Sequence, residues 1–325
     1  MATSDKQGFS TTYDWAKSWQ DLPWAHEEPT LFLAELCRGR EPGRALDLGC
    51  GSGTDSVFLA EMGWEVTALD FMPRALEYTR QRAAERGLEL QLVEADITEW
   101  QPPATYDLVL DHGLLHNMDA ALHAAYRERV LQALAAEGDF ILVHWHPLFA
   151  GQADGRMGPT RRDRATIKAF FAPELEEHWF ACEEFEDLPD MVGGGMTQAC
   201  YWFRRNRAWQ QPREMLEQLR ATLHRRGFDT QAWLAAGASG RPALAPAHLA
   251  RLLGPGRLGI SHVLPEPAAA AGVLERWALQ AGIAPQEVLQ LLTAFASPEL
   301  AAVCLPGAPL CGQCEVRFCK RQRHR

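Results

Sequence analysis

Ala45-Leu46-Asp47-Leu48-Gly49-Cys50-Gly51-Ser52-Gly53-Thr54-Asp55-Ser56 decides the fold. An apolar run carries an acid, three glycines alternate, and a helix-forming stretch follows. The pattern predicts a strand, a tight turn and a helix N-terminus. Alternating glycines let the backbone turn sharply and let a ligand lie against it with no Cβ in the way. The acid before the first glycine is poised to accept hydrogen bonds from a cationic or amino-bearing ligand. Glu65-Val66-Thr67-Ala68-Leu69-Asp70 is a second strand that also ends in an acid. It falls about 20 residues past the glycines, the spacing at which a carboxylate meets ribose hydroxyls in a nucleotide-type βαβ unit. Position 56 holds Ser, where a dinucleotide fingerprint read from Gly51 and Gly53 needs its third glycine. A pyrophosphate is therefore not the expected ligand.

Leu46 to Gly53 resembles the first motif of class I S-adenosylmethionine (SAM) dependent methyltransferases. Asp70-Phe71-Met72 resembles their ribose and adenine site, and Val93-Glu94-Ala95-Asp96-Ile97 their adenine-edge motif. Tyr106-Asp107-Leu108-Val109-Leu110-Asp111-His112-Gly113 resembles the fourth-strand motif that faces the methyl donor. The resemblance covers residues 10–205 and speaks to the cofactor, not the acceptor. It implies that Asp47 contacts the amino acid end of SAM and that Gly49, Gly51 and Gly53 shape its pocket. It further implies that Asp70 binds the ribose, that Phe71 and Met72 face the adenine, and that Asp96 and Ile97 meet its edge.

Strands expected at 44–48, 65–69, 89–94, 106–110 and 139–145 alternate with helices at 54–62, 73–86 and 119–136. Such alternation means parallel pairing through right-handed crossovers. Residues 181–187 and 197–204 read as two more strands. By resemblance they close a Rossmann-like α/β sheet of seven strands, mostly parallel, with the last antiparallel. Ahead of it, Trp15, Trp19 and Trp24 crowd a short segment. Packing on the sheet edge is one reading of them. A lid over cofactor and apolar substrate is the other, and the segment is similar to the N-terminus of thiopurine- and tellurite-type small-molecule methyltransferases. After residue 207 the composition turns to Ala, Leu, Pro and Gly, with helical periodicity at 213–226, 246–253, 267–281 and 285–296. The expected organisation is an aromatic lid segment (1–24), a methyltransferase domain (25–207) and a small all-α C-terminal domain (208–325).

Methyl transfer from a sulfonium is an in-line displacement, and much of its rate comes from positioning. A base is needed only where the acceptor carries a proton of high pKa. The candidates near the methyl group are Asp111, His112, His116, His144 and His146. His144 and His146 are two apart on a strand and point to one face. As a group these side chains could deprotonate a substrate, bind its carboxylate or hold a metal. The stacking motif of amide and exocyclic-amine N-methylation and the Pro-Cys nucleophile of pyrimidine C5 methylation are both missing from the sequence.

Cys304, Cys311, Cys314 and Cys319 form C-x6-C-x2-C-x4-C, which fits one tetrahedral zinc or a [4Fe–4S] cluster. The spacing resembles the cluster loop of endonuclease III-type glycosylases, whose last gap is one residue longer. Leu253-Gly254-Pro255-Gly256-Arg257-Leu258-Gly259 resembles their hairpin. Cys37, Cys50, Cys182 and Cys200 are scattered and read as packing residues.

The chain has 325 residues and a formal net charge of −10. That charge argues against nucleic-acid binding by the whole surface, although the end, Lys320 to Arg325, is basic. No secretory signal and no run of 18 apolar residues is expected, so a cytoplasmic location follows by default. The reading is SAM-dependent methyl transfer to a small molecule with an S, Se or N acceptor. The alternatives are a nucleic-acid methyltransferase that grips through the Cys-rich domain, and a non-enzymatic SAM-responsive regulator.

Overall fold

The computed structural model describes residues 6–319 apart from 157, 187, 211, 237–242, 255–256, 262–264, 306–308, 312–313, 315 and 317–318. The chain divides into two compact units, 1–167 with 177–205, and 168–176 with 206–325.

The first unit opens with α1 (Lys6–Trp15) and α2 (Leu33–Gly39), then alternates β1 (Arg44–Leu48), α3 (Thr54–Glu61), β2 (Glu65–Asp70), α4 (Pro73–Glu85), β3 (Gln91–Glu94), β4 (Tyr106–His112), α5 (His123–Ala133) and β5 (Leu134–His146). After α6 (Arg164–Phe171) come β6 (Leu175–Phe185) and β7 (Met196–Arg205). The sheet has seven strands in the order β3-β2-β1-β4-β5-β7-β6. β1 through β5 pair in parallel, and β7 runs antiparallel to β5. The expected Rossmann-like sheet is thus present. Central strands are apolar on both faces, as helices on both sides require. Leu46, Leu48, Leu108, Val109, Leu110, Ile141 and Leu142 are all buried.

Several boundaries differ from expectation: β6 begins at Leu175 rather than 181, and α5 at His123 rather than 119. The helix read at 119–136 ends at Ala133, and β5 begins at Leu134 rather than 139. Ala135-Ala136-Glu137 has helix-forming composition, but Leu134 pairs with Tyr106, and the register shifts between Tyr106 and Leu108. Sheet pairing overrides local propensity here. The tryptophan segment packs on α4 rather than on the sheet edge. Tyr13, Ala16 and Leu22 form one buried cluster with Ala75 and Tyr78, and Trp19 lies against it. The Arg82 guanidinium sits 3.8 Å over the Trp19 ring. Trp15 is exposed.

The second unit contains α7 (Arg207–Gln210), α8 (Pro212–Arg225), α9 (Thr230–Ala235), α10 (Pro246–Leu253), α11 (Ala270–Ala281) and α12 (Pro285–Ala296). Leu219, Leu253, Trp277, Leu291 and Phe295 form its core, which Val303, Cys304, Val316 and Cys319 complete. Asn206 ties the start of the unit down: its side-chain amide donates to the carbonyls of Pro173 (3.0 Å) and Gly259 (2.9 Å). Among the described residues, no helix is long and apolar enough to cross a membrane.

Candidate active site

Every motif of the first unit lies at the carboxyl ends of the parallel strands, where ligands sit in open α/β sheets. The glycine turn leaves β1 with Gly49, Gly51 and Gly53 all at positive φ, 68°, 56° and 79°. Asp70 ends β2 and braces the turn. One carboxylate oxygen accepts from the Gly51 amide (2.9 Å) and the other from the Met72 amide (2.8 Å). Burial pushes Asp70 up to about 6, against the opposing pull of those amides. Asp47 is buried and accepts from Ser56 Oγ at 2.6 Å. Burial, followed by the nearby Asp55 carboxylate, pushes it upward too. Both acids are poised for a cationic or hydroxyl-bearing ligand that would favour their charged forms.

Phe71 and Met72 are half-buried beside the turn. Phe71 meets Phe9 edge-on at 5.9 Å. Tyr13 and Trp24 reach the same place: a Cβ added at Gly51 would lie 3.8 Å from Trp24 Nε1 and 3.8 Å from Tyr13 Oη. The aromatic segment therefore stands over the glycine turn. Asp96 caps its own turn, accepting from Thr98 N (3.0 Å) and Thr98 Oγ1 (2.7 Å), and Ile97 is buried.

The histidine candidates separate into two groups. His116, His144 and His146 are buried. The His116 and His144 rings lie 5.4 Å apart, and those of His144 and His146 lie 6.4 Å apart. His116 Nδ1 accepts from the Trp145 amide (3.3 Å), and His144 Nδ1 lies 2.8 Å from the Trp145 carbonyl. Tyr201 Oη lies 2.6 Å from His146 Nε2. Burial pushes His116 well below its ordinary range and His144 down to about 3. Three neutral rings are thus knitted into the strand ends. Asp111, expected to face the donor, is fully buried. It accepts from the amides of Leu114 (2.6 Å) and Leu115 (3.1 Å) and from Tyr126 Oη. It fastens the turn after β4 and offers no oxygen to solvent.

His112 stands apart from that group, with its side chain about a quarter exposed. It faces Asp55, in the first turn of α3, and two residues that the sequence did not single out, His26 and Thr30. Among the described residues, His26, Asp55 and His112 are the one set of three or more His, Cys, Asp or Glu side chains whose ligand atoms all lie within 4.8 Å of one another. The one available signal was an acid at a buried helical position. Asp55 sits between Thr54 and Ser56, all three buried.

In the second unit, Cys304, Cys311, Cys314 and Cys319 line one small pocket together with Arg257 and Phe295. None of the four is in a disulfide. No three of their sulfurs lie within 4.8 Å of one another, whereas thiolates on one tetrahedral zinc stand about 3.8 Å apart. Burial pushes the Cys314 thiol up to about 11, and Cys319 and Cys304 add to the rise. Cys182 is exposed on β6, not a packing residue.

Comparison with known proteins agrees with the placement of the first unit's motifs. The family described as "Methyltransferase domain" matches residues 45–138. The 2-heptyl-1-hydroxyquinolin-4(1H)-one methyltransferase of Mycobacteroides abscessus is 30% identical over 124 residues, which are 37% of this chain and 55% of that protein. A probable thiol methyltransferase of Arabidopsis thaliana is 29% identical over 135 residues, 40% of this chain and 60% of that one. The demethylmenaquinone methyltransferase of Thermus thermophilus is 28% identical over 202 residues, 54% of this chain and 87% of that one. The chain spans little more than half the length of the first two.

Proposed function

We propose that the protein is a SAM-dependent methyltransferase of small molecules. The observation that carries this reading is the joint placement of Asp47, the glycine turn and Asp70 at adjacent strand ends, within the segment that matches a methyltransferase domain. Asp47 faces the amino acid end of SAM, Asp70 holds the ribose, Phe71 and Met72 flank the adenine, and Asp96 and Ile97 meet its edge. The aromatic segment expected at 1–24, of which residues 6–24 are described, acts as a lid, a role supported by Tyr13 and Trp24 over Gly51. The plant relative's name supports sulfur among the expected S, Se or N acceptors. The mycobacterial relative's name puts an N-hydroxyl beside them.

Titration calorimetry with SAM tests the cofactor site. Asp70 must be ionised to accept from ribose hydroxyls. Its proton is held up to about pH 6, so affinity should be level above pH 7 and fall as the pH drops through 6. Asp70→Asn should weaken binding roughly 10- to 100-fold at pH 7.5, the worth of hydrogen bonds to a charged group, and should flatten the pH profile. A variant that binds SAM as the wild type does would remove Asp70 from the site.

For the second unit we infer that the four cysteines hold a metal in a structural role, either one zinc or a [4Fe–4S] cluster. The pocket they share supports this. A bound cation would also explain why four cysteines are gathered here, since burial and then Cys319 and Cys304 push the Cys314 thiol up. About four irons per chain and visible absorption in protein purified without oxygen would assign the site to a cluster. Replacing Cys314 with serine should then bleach it. One zinc and no colour would assign the site to zinc.

A further inference from the structure

His112 ends β4 beside Asp55, and two residues between Trp24 and α2 complete the arrangement. Asp55 is 3% exposed. One of its carboxylate oxygens accepts from the Thr30 amide at 2.6 Å, the other from the Thr30 hydroxyl at 2.7 Å. The same hydroxyl oxygen lies 2.6 Å from His112 Nδ1, which is itself 3.3 Å from Asp55 Oδ2. A threonine hydroxyl has one hydrogen, and it goes to the carboxylate. Towards His112 the hydroxyl can only accept, so the imidazole proton is on Nδ1. Nε2 is left with its lone pair and has no partner among the described residues.

His26 supports this arrangement from above. Its ring lies 4.3 Å from that of His112, its Nδ1 is 2.7 Å from the Glu28 carbonyl, and its Nε2 is 3.9 Å from Asp55 Oδ2. The charged and titratable groups around His112 are Asp55 on α3, Asp47 on β1, Asp111 on β4, His26 from the N-terminal segment and His116 after β4. Burial would push the imidazole down, but the hydrogen bond and charge of Asp55 hold it above its ordinary range.

We propose that Nε2 of His112 is the general base of methyl transfer, that Asp55 and Thr30 are its positioning residues, and that the acceptor is a phenol-type hydroxyl on an aromatic or heteroaromatic ring. This rests on the methyltransferase reading above and puts oxygen in place of the S, Se or N acceptor expected there. Thiols ionise readily enough near neutrality to dispense with a base. A phenol, with a pKa near tyrosine's value of about 10, gains from one. An aliphatic alcohol is too weak an acid for imidazole. In the step, the hydroxyl proton passes to Nε2 and the oxygen forms a bond to the methyl carbon. The carbon–sulfur bond breaks with its electron pair going to sulfur. The products are the methyl ether, neutral S-adenosylhomocysteine and an imidazolium paired with Asp55, which returns its proton to solvent.

Two measurements on the full chain test this. Long-range proton–nitrogen NMR of histidine-labelled protein should show His112 as the Nδ1–H tautomer, and Asp55→Asn should lower its pKa by about one unit or more. With a panel of phenols and hydroxyquinolines, and S-adenosylhomocysteine as the readout, Asp55→Asn should lower kcat about 10- to 100-fold and shift the acid limb of the profile to lower pH. Its SAM affinity by calorimetry should not fall, since losing the Asp55 charge favours ionised Asp47, and Thr30→Val should lower kcat less. An Nε2–H tautomer would overturn the proposal. So would thiols being methylated where no hydroxyl is, a parallel loss of kcat and SAM affinity, or activity lost to a chelator and restored by zinc, which would make the His26–Asp55–His112 set a metal site. If the wild type fails to bind SAM, the methyltransferase reading itself falls, and the tautomer still judges the dyad.

Discussion

Gly53→Ala will lower the unfolding free energy, read from urea titration, by about 2–5 kcal/mol and cost the protein its SAM binding. Two effects add. Gly53 sits at φ 79° as the residue that caps α3, and a side chain in that left-handed region costs about 1–2 kcal/mol. The new methyl would also have nowhere to go. It would lie 2.6 Å from Thr79 Oγ1 and 2.9 Å from Thr79 Cβ. Thr79 is fully buried on α4 and donates to the Gly51 carbonyl at 3.1 Å, so it cannot swing aside. Relief must come from α4 or the glycine turn moving, at the cost typical of overpacking, about 1–3 kcal/mol. Gly51→Ala is the control. Its added Cβ meets nothing closer than 3.8 Å, so only the backbone cost remains in the ligand-free protein. Equal losses from the two variants would show that conformation, not crowding, is what position 53 demands.

Asp139→Ala should destabilise the protein by about 2–4 kcal/mol, read as a lowered thermal midpoint. Asp139 is fully buried near the middle of β5. Its carboxylate accepts from Trp202 Nε1 at 2.7 Å and Arg204 Nε at 2.6 Å, and pairs with Arg40. Removing the acid strands a buried indole N–H and two guanidinium groups. Hydrogen bonds to charged groups are worth about 1.5–3 kcal/mol each, but both arginines are partly exposed and can turn to water, which limits the loss. Asp139→Asn keeps an acceptor for Trp202 while discarding the charge, and should cost about half as much. If the two variants are equally harmful, the ion pairs hold β5 to β7 and the indole bond is incidental.

Much of the fold could be read from local pattern. β1, β2 and β4 are apolar runs with an acid or a histidine at or next to their ends, and Pro73 opens α4 at the position where its missing donor costs nothing. Elements decided by distant pairing were less legible. β5 begins in alanines that favour a helix, and only Tyr106 across the sheet makes Leu134 extended. α9 is six residues long, too short to show a period. The site divides the same way. Asp47, the glycines and Asp70 follow one another along a βαβ unit and can be seen together. Thr30, Asp55 and His112 are 25 and 82 residues apart in their contacts, and nothing local marks them as neighbours. Asp111 shows the converse. Its sequence context points to a ligand, whereas its burial and three donors make it the clasp of a turn.

The place of β7 has a consequence for synthesis. It lies between β5 and β6, yet it follows β5 by roughly 50 residues of chain. At elongation rates of about 5–20 residues per second that is a wait of about 3–10 s. Until β7 arrives, β5 offers the backbone N–H and C=O groups of Phe140 to Val143 as an open edge flanked by apolar side chains, which is what a second nascent copy would pair with. The wait is set by gene order rather than by thermodynamics, so the danger scales with ribosome density on the message. Slowing initiation should raise the soluble yield more than slowing elongation.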